Sequence, residues 1–255
     1  MSRHGRRRGS YWQASRTPFY GIVMTLPLLL LYEGLLIYLT FRQGEAFRNA
    51  ADIWIKSAIE RLGIHGQITF SILLLLLLIW AFVSMVKQNL DLNWQILLPA
   101  AAESCSYALA LAFLVSRFTN WALLHLIIGG ERAADLVLAL GAGVYEELFF
   151  RALGYGILSA IIIKLTSRKP KRSRRTIVPQ KRIEFEVKLF VALISSLLFS
   201  WLHNPSGFSL TAYQPLYRFV MGLFFCILYE LRGLGITVWT HSWYDIFVIL
   251  FGNPT

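Results

Sequence analysis

Cysteine is nearly missing from this chain: of 255 residues only Cys105 and Cys226 are cysteine, both inside apolar runs. That excludes a disulfide framework and any cysteine pair at metal-site spacing, so both read as small buried hydrophobes. Charge is scarce too, at 15% of residues, well under ordinary soluble usage. Acidic groups are the scarcest, 14 against 25 basic ones. The resulting +11 does not mark a nucleic-acid binder, because the basic residues bunch in two short segments that flank apolar spans. No internal repeat is evident, and no linker is long enough to separate independently folding domains.

What is abundant is apolar: 56% of residues are hydrophobic and 15% aromatic. Several runs exceed the roughly 20 residues that cross a bilayer, which predicts an all-α, polytopic transmembrane bundle of about seven spans, six to eight at the limits. Arg3, Arg6, Arg7, Arg8 and Arg16 place the N-terminus on the cytoplasmic side. The first apolar stretch is too long for a signal peptide and no small-residue cleavage site follows, so it reads as a retained helix. The spans fall at about 19–41, 68–86, 94–118, 133–165, 187–203, 212–231 and 234–251. Residues 43–67 carry Arg48, Asp52, Lys56, Glu60 and Arg61 at helical spacing and read as an amphipathic segment lying on the membrane. Residues 164–182 hold eight basic side chains between Arg168 and Arg182 and Lys164 before them, with no acid, and read as a cytoplasmic loop attracted to anionic lipid heads.

The organising stretch is 142–156, where Glu146, Glu147 and Arg151 interrupt the apolar run 133–165. Charges in hydrocarbon cost several kcal/mol and persist where they pair, line a wet cavity or do chemistry. Glu147 and Arg151 are four apart in the favourable order and read as an ion pair. Glu146 points about 100° away and has no local partner. Facing water and imidazoles it would serve as a general base. At about 33 residues the run is too long for one perpendicular helix, and Gly154 and Gly156 mark the expected bend. Elsewhere, Glu33 reads as packed or snorkelling, and His125 as interfacial. Glu103 reads as an interhelical hydrogen-bonding group or as a wall of the same cavity as Glu146. Asn204, in the breaker cluster 204–207, is a second cavity-lining candidate. Further on, Phe199 and His203, and then His241 and Asp245, are four apart and share helical faces. Two imidazoles and a carboxylate from three separate spans suggest a site.

The order Glu-Glu-x-x-x-Arg (Glu146–Arg151), Phe-x-x-x-His (Phe199, His203) and His-x-x-x-Asp (His241, Asp245) resembles the CPBP family of intramembrane proteases. This is also called the Abi or CAAX-protease family, and the type II CAAX prenyl endopeptidases belong to it. The resemblance covers about 133–252, dividing the chain into N-terminal helices with a basic tail (1–132) and a catalytic core that includes the basic loop (133–252). It implies an endopeptidase acting on a membrane-associated protein or peptide in the bilayer, CAAX-type substrates included. Glu146 and His203 would activate water, His241 and residue 245 would stabilise the oxyanion, and Arg151 would hold Glu147. Asp245 departs from the Asn common in the family. An ionised Asp only accepts hydrogen bonds, so it must be protonated, orient His241, or ligate a metal. A zinc set of His203, His241 and Glu146 or Asp245 therefore stays open beside the metal-free glutamic chemistry that we favour.

Other intramembrane protease classes lack their motifs here: there is no His-Glu-x-x-His, no Gly-x-Ser-Gly and no Gly-x-Gly-Asp. Two non-proteolytic readings remain, an immunity or adaptor protein of the same fold and a proton-coupled transporter, the latter disfavoured by the absence of repeat halves. In every reading the chain is a multi-pass integral membrane protein, of the inner membrane in a bacterial cell, with no nucleic-acid partner.

Overall fold

The computed structural model describes residues 11–44, 48–88, 92–118, 132–166, 180–203 and 213–251. Among the described residues all regular structure is helical: α1 (Tyr11–Ala14), α2 (Pro18–Gln43), α3 (Ala50–Glu60), α4 (Gly66–Gln88), α5 (Trp94–Phe118) and α6 (Arg132–Gly141). A π-helical segment (Ala142–Ile157) follows, then α7 (Leu158–Thr166), α8 (Gln180–Leu202), α9 (Tyr213–Arg232) and α10 (Leu234–Phe251). Four of these stretches are long and apolar enough to cross a membrane: Pro18–Arg42, Trp94–Val115, Ala134–Thr166 and Gln180–Leu202.

Local chemistry sets the ends. Thr17 is extended, its hydroxyl accepts the Tyr20 amide at 3.4 Å, and Pro18 occupies the first turn of α2, where no amide hydrogen is missed. Within the apolar helices, hydroxyls turn back on their own backbone. Thr25 donates to the Gly21 carbonyl, Ser104 to Ala100 and Thr240 to Ile236, each four residues back. Large apolar side chains such as Leu30, Leu31, Leu98, Phe113, Phe190 and Trp201 face outward, an arrangement suited to lipid rather than to water.

The chain packs as two compact units, one of Met1–Glu146 with Leu231–Thr255, the other of Glu147–Glu230. In the first, α10 packs against α2, α5 and α6, which is why Ile236, Thr237, Val238 and Thr240 are all fully buried. In the second, α7 packs on α8, and Tyr155, Val191 and Cys226 form a small core from the π segment, α8 and α9.

Two expectations change. The segment expected to lie on the membrane forms α3, but Asp52 and Lys56 are buried. The cause is Glu33 on α2: Lys56 Nζ lies 2.9 Å from Glu33 Oε1 and 2.7 Å from Asp52 Oδ1, so the charged face of α3 turns inward to neutralise a carboxylate that hydrocarbon would reject. Gly154 and Gly156 do not break the fourth long helix. Helical winding runs through both, and the irregularity is the wide π turn that begins at Ala142. Gly156 instead leaves room for a neighbour, since a Cβ there would fall 2.7 Å from the Tyr229 hydroxyl of α9.

Candidate active site

The first unit holds Glu146, His241 and Asp245. Glu146 sits in the first part of the π segment, where i→i+5 bonding widens each turn; single π turns are frequent at functional sites. The segment presses directly on α10 at Gly143: a Cβ there would lie 2.0 Å from Ser242 Oγ and 2.8 Å from the Ser242 backbone nitrogen. Only glycine permits that approach. His241, the neighbour of Ser242, is buried, and its Nε2 lies 3.5 Å from Asp245 Oδ2 one turn on; Asp245 is about a quarter exposed, at 26%. Glu146 is buried and accepts a hydrogen bond from Asn49 Nδ2 at 2.9 Å.

Around Asn49 lies a polar network. The Asn49 amide donates to the Tyr32 hydroxyl at 3.2 Å, and that hydroxyl donates to Asp52 Oδ2 at 3.0 Å. The Tyr145 hydroxyl, next in sequence to Glu146, donates to Glu33. Lys56 lies over the Phe70 ring at 4.8 Å.

Glu103 takes part elsewhere in this unit. Arg232 forks onto it, Nε to Oε1 at 2.6 Å and Nη2 to Oε2 at 2.8 Å, and the Tyr11 hydroxyl donates to the same carboxylate. The guanidinium also covers the Trp12 ring at 4.1 Å and donates to Ser15 Oγ at 3.0 Å. The hydrogen bond to another helix expected of Glu103 is thus present. Burial first, then the Glu103 contact, raises the Tyr11 hydroxyl above its ordinary pKa, keeping it a donor.

The second unit holds Glu147, Arg151, Phe199 and His203. Arg151 Nη1 lies 3.2 Å from Glu147 Oε1, at ion-pair distance without hydrogen-bond alignment, and both side chains are fully buried. The guanidinium carbon stands 4.5 Å from the Phe199 ring centre, 5.2 Å from that of Phe225 and 5.7 Å from that of Phe150. Ring faces thus surround a cation whose nitrogens find no acceptor in good geometry among the described residues. Ser195 of α8 donates to the Phe150 carbonyl at 2.9 Å, tying the π segment to α8.

His203 ends α8. Its Nδ1 is 2.7 Å from the Phe199 carbonyl. A carbonyl can only accept, so Nδ1 carries the hydrogen and, in the neutral ring, Nε2 bears the basic lone pair. The Phe199 and His203 rings are 4.4 Å apart. Arg218 of α9 donates to the His203 carbonyl and Ser200 to the Pro215 carbonyl, which pins the end of α8 to the start of α9.

Asn204 and His125 lie outside the described residues. Within either unit, no three His, Cys, Asp or Glu side chains among the described residues form a group able to hold a metal ion. The sequence reading passed over Asn49, Tyr32, Tyr145 and Phe225. None of them stood out: Asn49 falls inside the stretch 43–67 read as one amphipathic segment, and the others are ordinary aromatics until packing assigns them neighbours.

Residues 133–247 match the family model described as type II CAAX prenyl endopeptidase Rce1-like. No curated protein and no solved structure matches the chain.

Proposed function

We infer, from the match of residues 133–247 to the family model described as type II CAAX prenyl endopeptidase Rce1-like, that this chain is an intramembrane endopeptidase. It hydrolyses a peptide bond of a membrane-associated protein or peptide by means of a water activated by Glu146 and His203. The observation that carries the reading is that the matched segment contains all three motifs in order, Glu146 to Arg151, Phe199 to His203 and His241 to Asp245.

The chemistry follows from the side chains. Glu146 accepts a proton as the water oxygen attacks the scissile carbonyl carbon. His203, with Nδ1 committed to the Phe199 carbonyl, offers Nε2 to orient that water. The tetrahedral oxyanion is stabilised by His241, and Asp245 acts through His241, because an ionised carboxylate beside an oxyanion would repel it. The carbon–nitrogen bond then breaks, and the proton taken by Glu146 passes to the leaving amine. Arg151, caged by phenylalanines, holds Glu147 in place.

Two imidazoles with a carboxylate are also zinc-type donors, and His203, His241 and Glu146 or Asp245 would be the ligands. A bound zinc would supply Lewis-acid polarisation and a more acidic water. We favour the metal-free account, in which exhaustive chelation leaves the cleavage rate unchanged. Activity lost to a chelator and restored by added zinc would overturn that account.

The functional test is cleavage of a membrane-tethered reporter peptide. Glu146→Gln, His203→Ala and His241→Ala should each lower the rate by about 10²- to 10⁴-fold, the usual contribution of an acid–base group. Cleavage at the wild-type rate by all three would dismiss the protease reading and leave a binding protein of the same fold.

A further inference from the structure

We propose that Asn49, which lies outside the family-matched segment, is the positioning residue that holds the Glu146 carboxylate from the N-terminus of α3. The proposal rests on the reading of Glu146 as the base. Its geometric half, that Asn49 holds Glu146, can be tested without activity.

Asn49 does two things with one amide. It is the N-cap of α3, its Oδ1 accepting the Ala51 amide at 2.8 Å. With Oδ1 so engaged, Nδ2 is the group turned to Glu146 Oε1, at 2.9 Å. The assignment is chemically forced at both ends, since a backbone amide needs an acceptor and a carboxylate needs a donor.

The donor is itself held. The Asn49 backbone amide is bound to Tyr32 of α2, Tyr32 to Asp52, Asp52 to Lys56, and Lys56 to Glu33. Gly141, just ahead of the π segment, lets this assembly approach: a Cβ there would lie 2.5 Å from the Tyr32 ring and 2.9 Å from Asn49 Cβ. A side chain fixed by a cap, a buried network and a glycine contact has little freedom, and what it fixes in turn is a carboxylate oxygen. An amide suits a base. It orients the carboxylate by hydrogen bonding without taking its proton, whereas a cation at the same place would favour the charged form more strongly and weaken the base.

Asn49→Ser and Asn49→Asp test this, because both keep a capping acceptor for α3. Serine is too short to reach Glu146, and aspartate has no donor and sets a like charge against it. In proteoliposomes, kcat should fall by about 10- to 100-fold for the serine variant, the scale of a small misplacement of a reacting group, and further for aspartate, with KM unchanged. The thermal midpoints of Asn49→Ser, Glu146→Ala and the double variant form a cycle that needs no activity. The serine substitution should shift the midpoint less once Glu146 is gone. Wild-type kcat in both Asn49 variants, or a loss of rate matched by loss of folded protein with an additive cycle, would overturn the proposal. If Glu146→Ala itself cleaves at the wild-type rate, the base reading falls, and the cycle alone decides whether Asn49 holds that carboxylate.

Discussion

Arg151 shows how much of a residue's role its sequence neighbours announce. Its pairing with Glu147 follows from a spacing of four along a helix, and at 3.2 Å the pair is present. The cage of Phe150, Phe199 and Phe225 is not announced, because its rings come from three different helices. The cage predicts an asymmetry. Arg151→Leu leaves Glu147 buried without its guanidinium and should cost about 3–5 kcal/mol, whereas Arg151→Leu combined with Glu147→Leu should cost less, since both charges leave together. Detergent-solubilised thermal unfolding checks this, and a double variant worse than Arg151→Leu would show that the pair contributes more than its burial costs. Asn49 was not legible: it lies inside the stretch 43–67 read as one amphipathic segment, and nothing local says that its side chain caps a helix at one end and meets a carboxylate nearly a hundred residues later at the other.

At the scale of elements, hydropathy located helices well. The expected 94–118 is the helix Trp94–Phe118, and the expected 19–41 lies within Pro18–Gln43. It failed where the outcome depends on neighbours rather than on composition. The π turn from Ala142 has no sequence signature, while the visible glycines at 154 and 156 drew the expectation of a bend. The charged face of α3 read as solvated because the partner that buries it, Glu33, sits on another helix. The glycine that matters most to the π segment is Gly143. Gly143→Ala would drive a methyl into Ser242 and into the Val238 carbonyl, 2.9 Å from the new carbon. It should destabilise by about 1–3 kcal/mol, the usual cost of overpacking. Ser242→Ala should not rescue it, because the backbone atoms remain; recovery of the wild-type unfolding midpoint in that double variant would contradict the close approach.

At the scale of the whole molecule, the outward leucines and phenylalanines and the four apolar helices among the described residues describe a membrane protein, and the match of residues 133–247 to a type II CAAX prenyl endopeptidase family model supports the proteolytic reading proposed above. Orientation is argued from charge: the basic run 164–182, most of it beyond the described residues, should face the cytoplasm. With Cys105 and Cys226 replaced, a single cysteine at Arg172 should react with a membrane-impermeant thiol reagent in inverted vesicles and stay unlabelled in intact cells; the reverse pattern would invert the topology. How the chain divides into compact units was not readable, because α10, last in sequence, packs with α2 and α5 from the beginning. The claim on which the rest turns is that Glu146 activates water against a peptide bond. Its most direct measurement is mass spectrometry of a membrane-tethered reporter cut in heavy-oxygen water by the wild-type protein and by Glu146→Gln. The account predicts one heavy oxygen in the new carboxyl terminus for the wild type and no product for the variant. Equal product from both would contradict it.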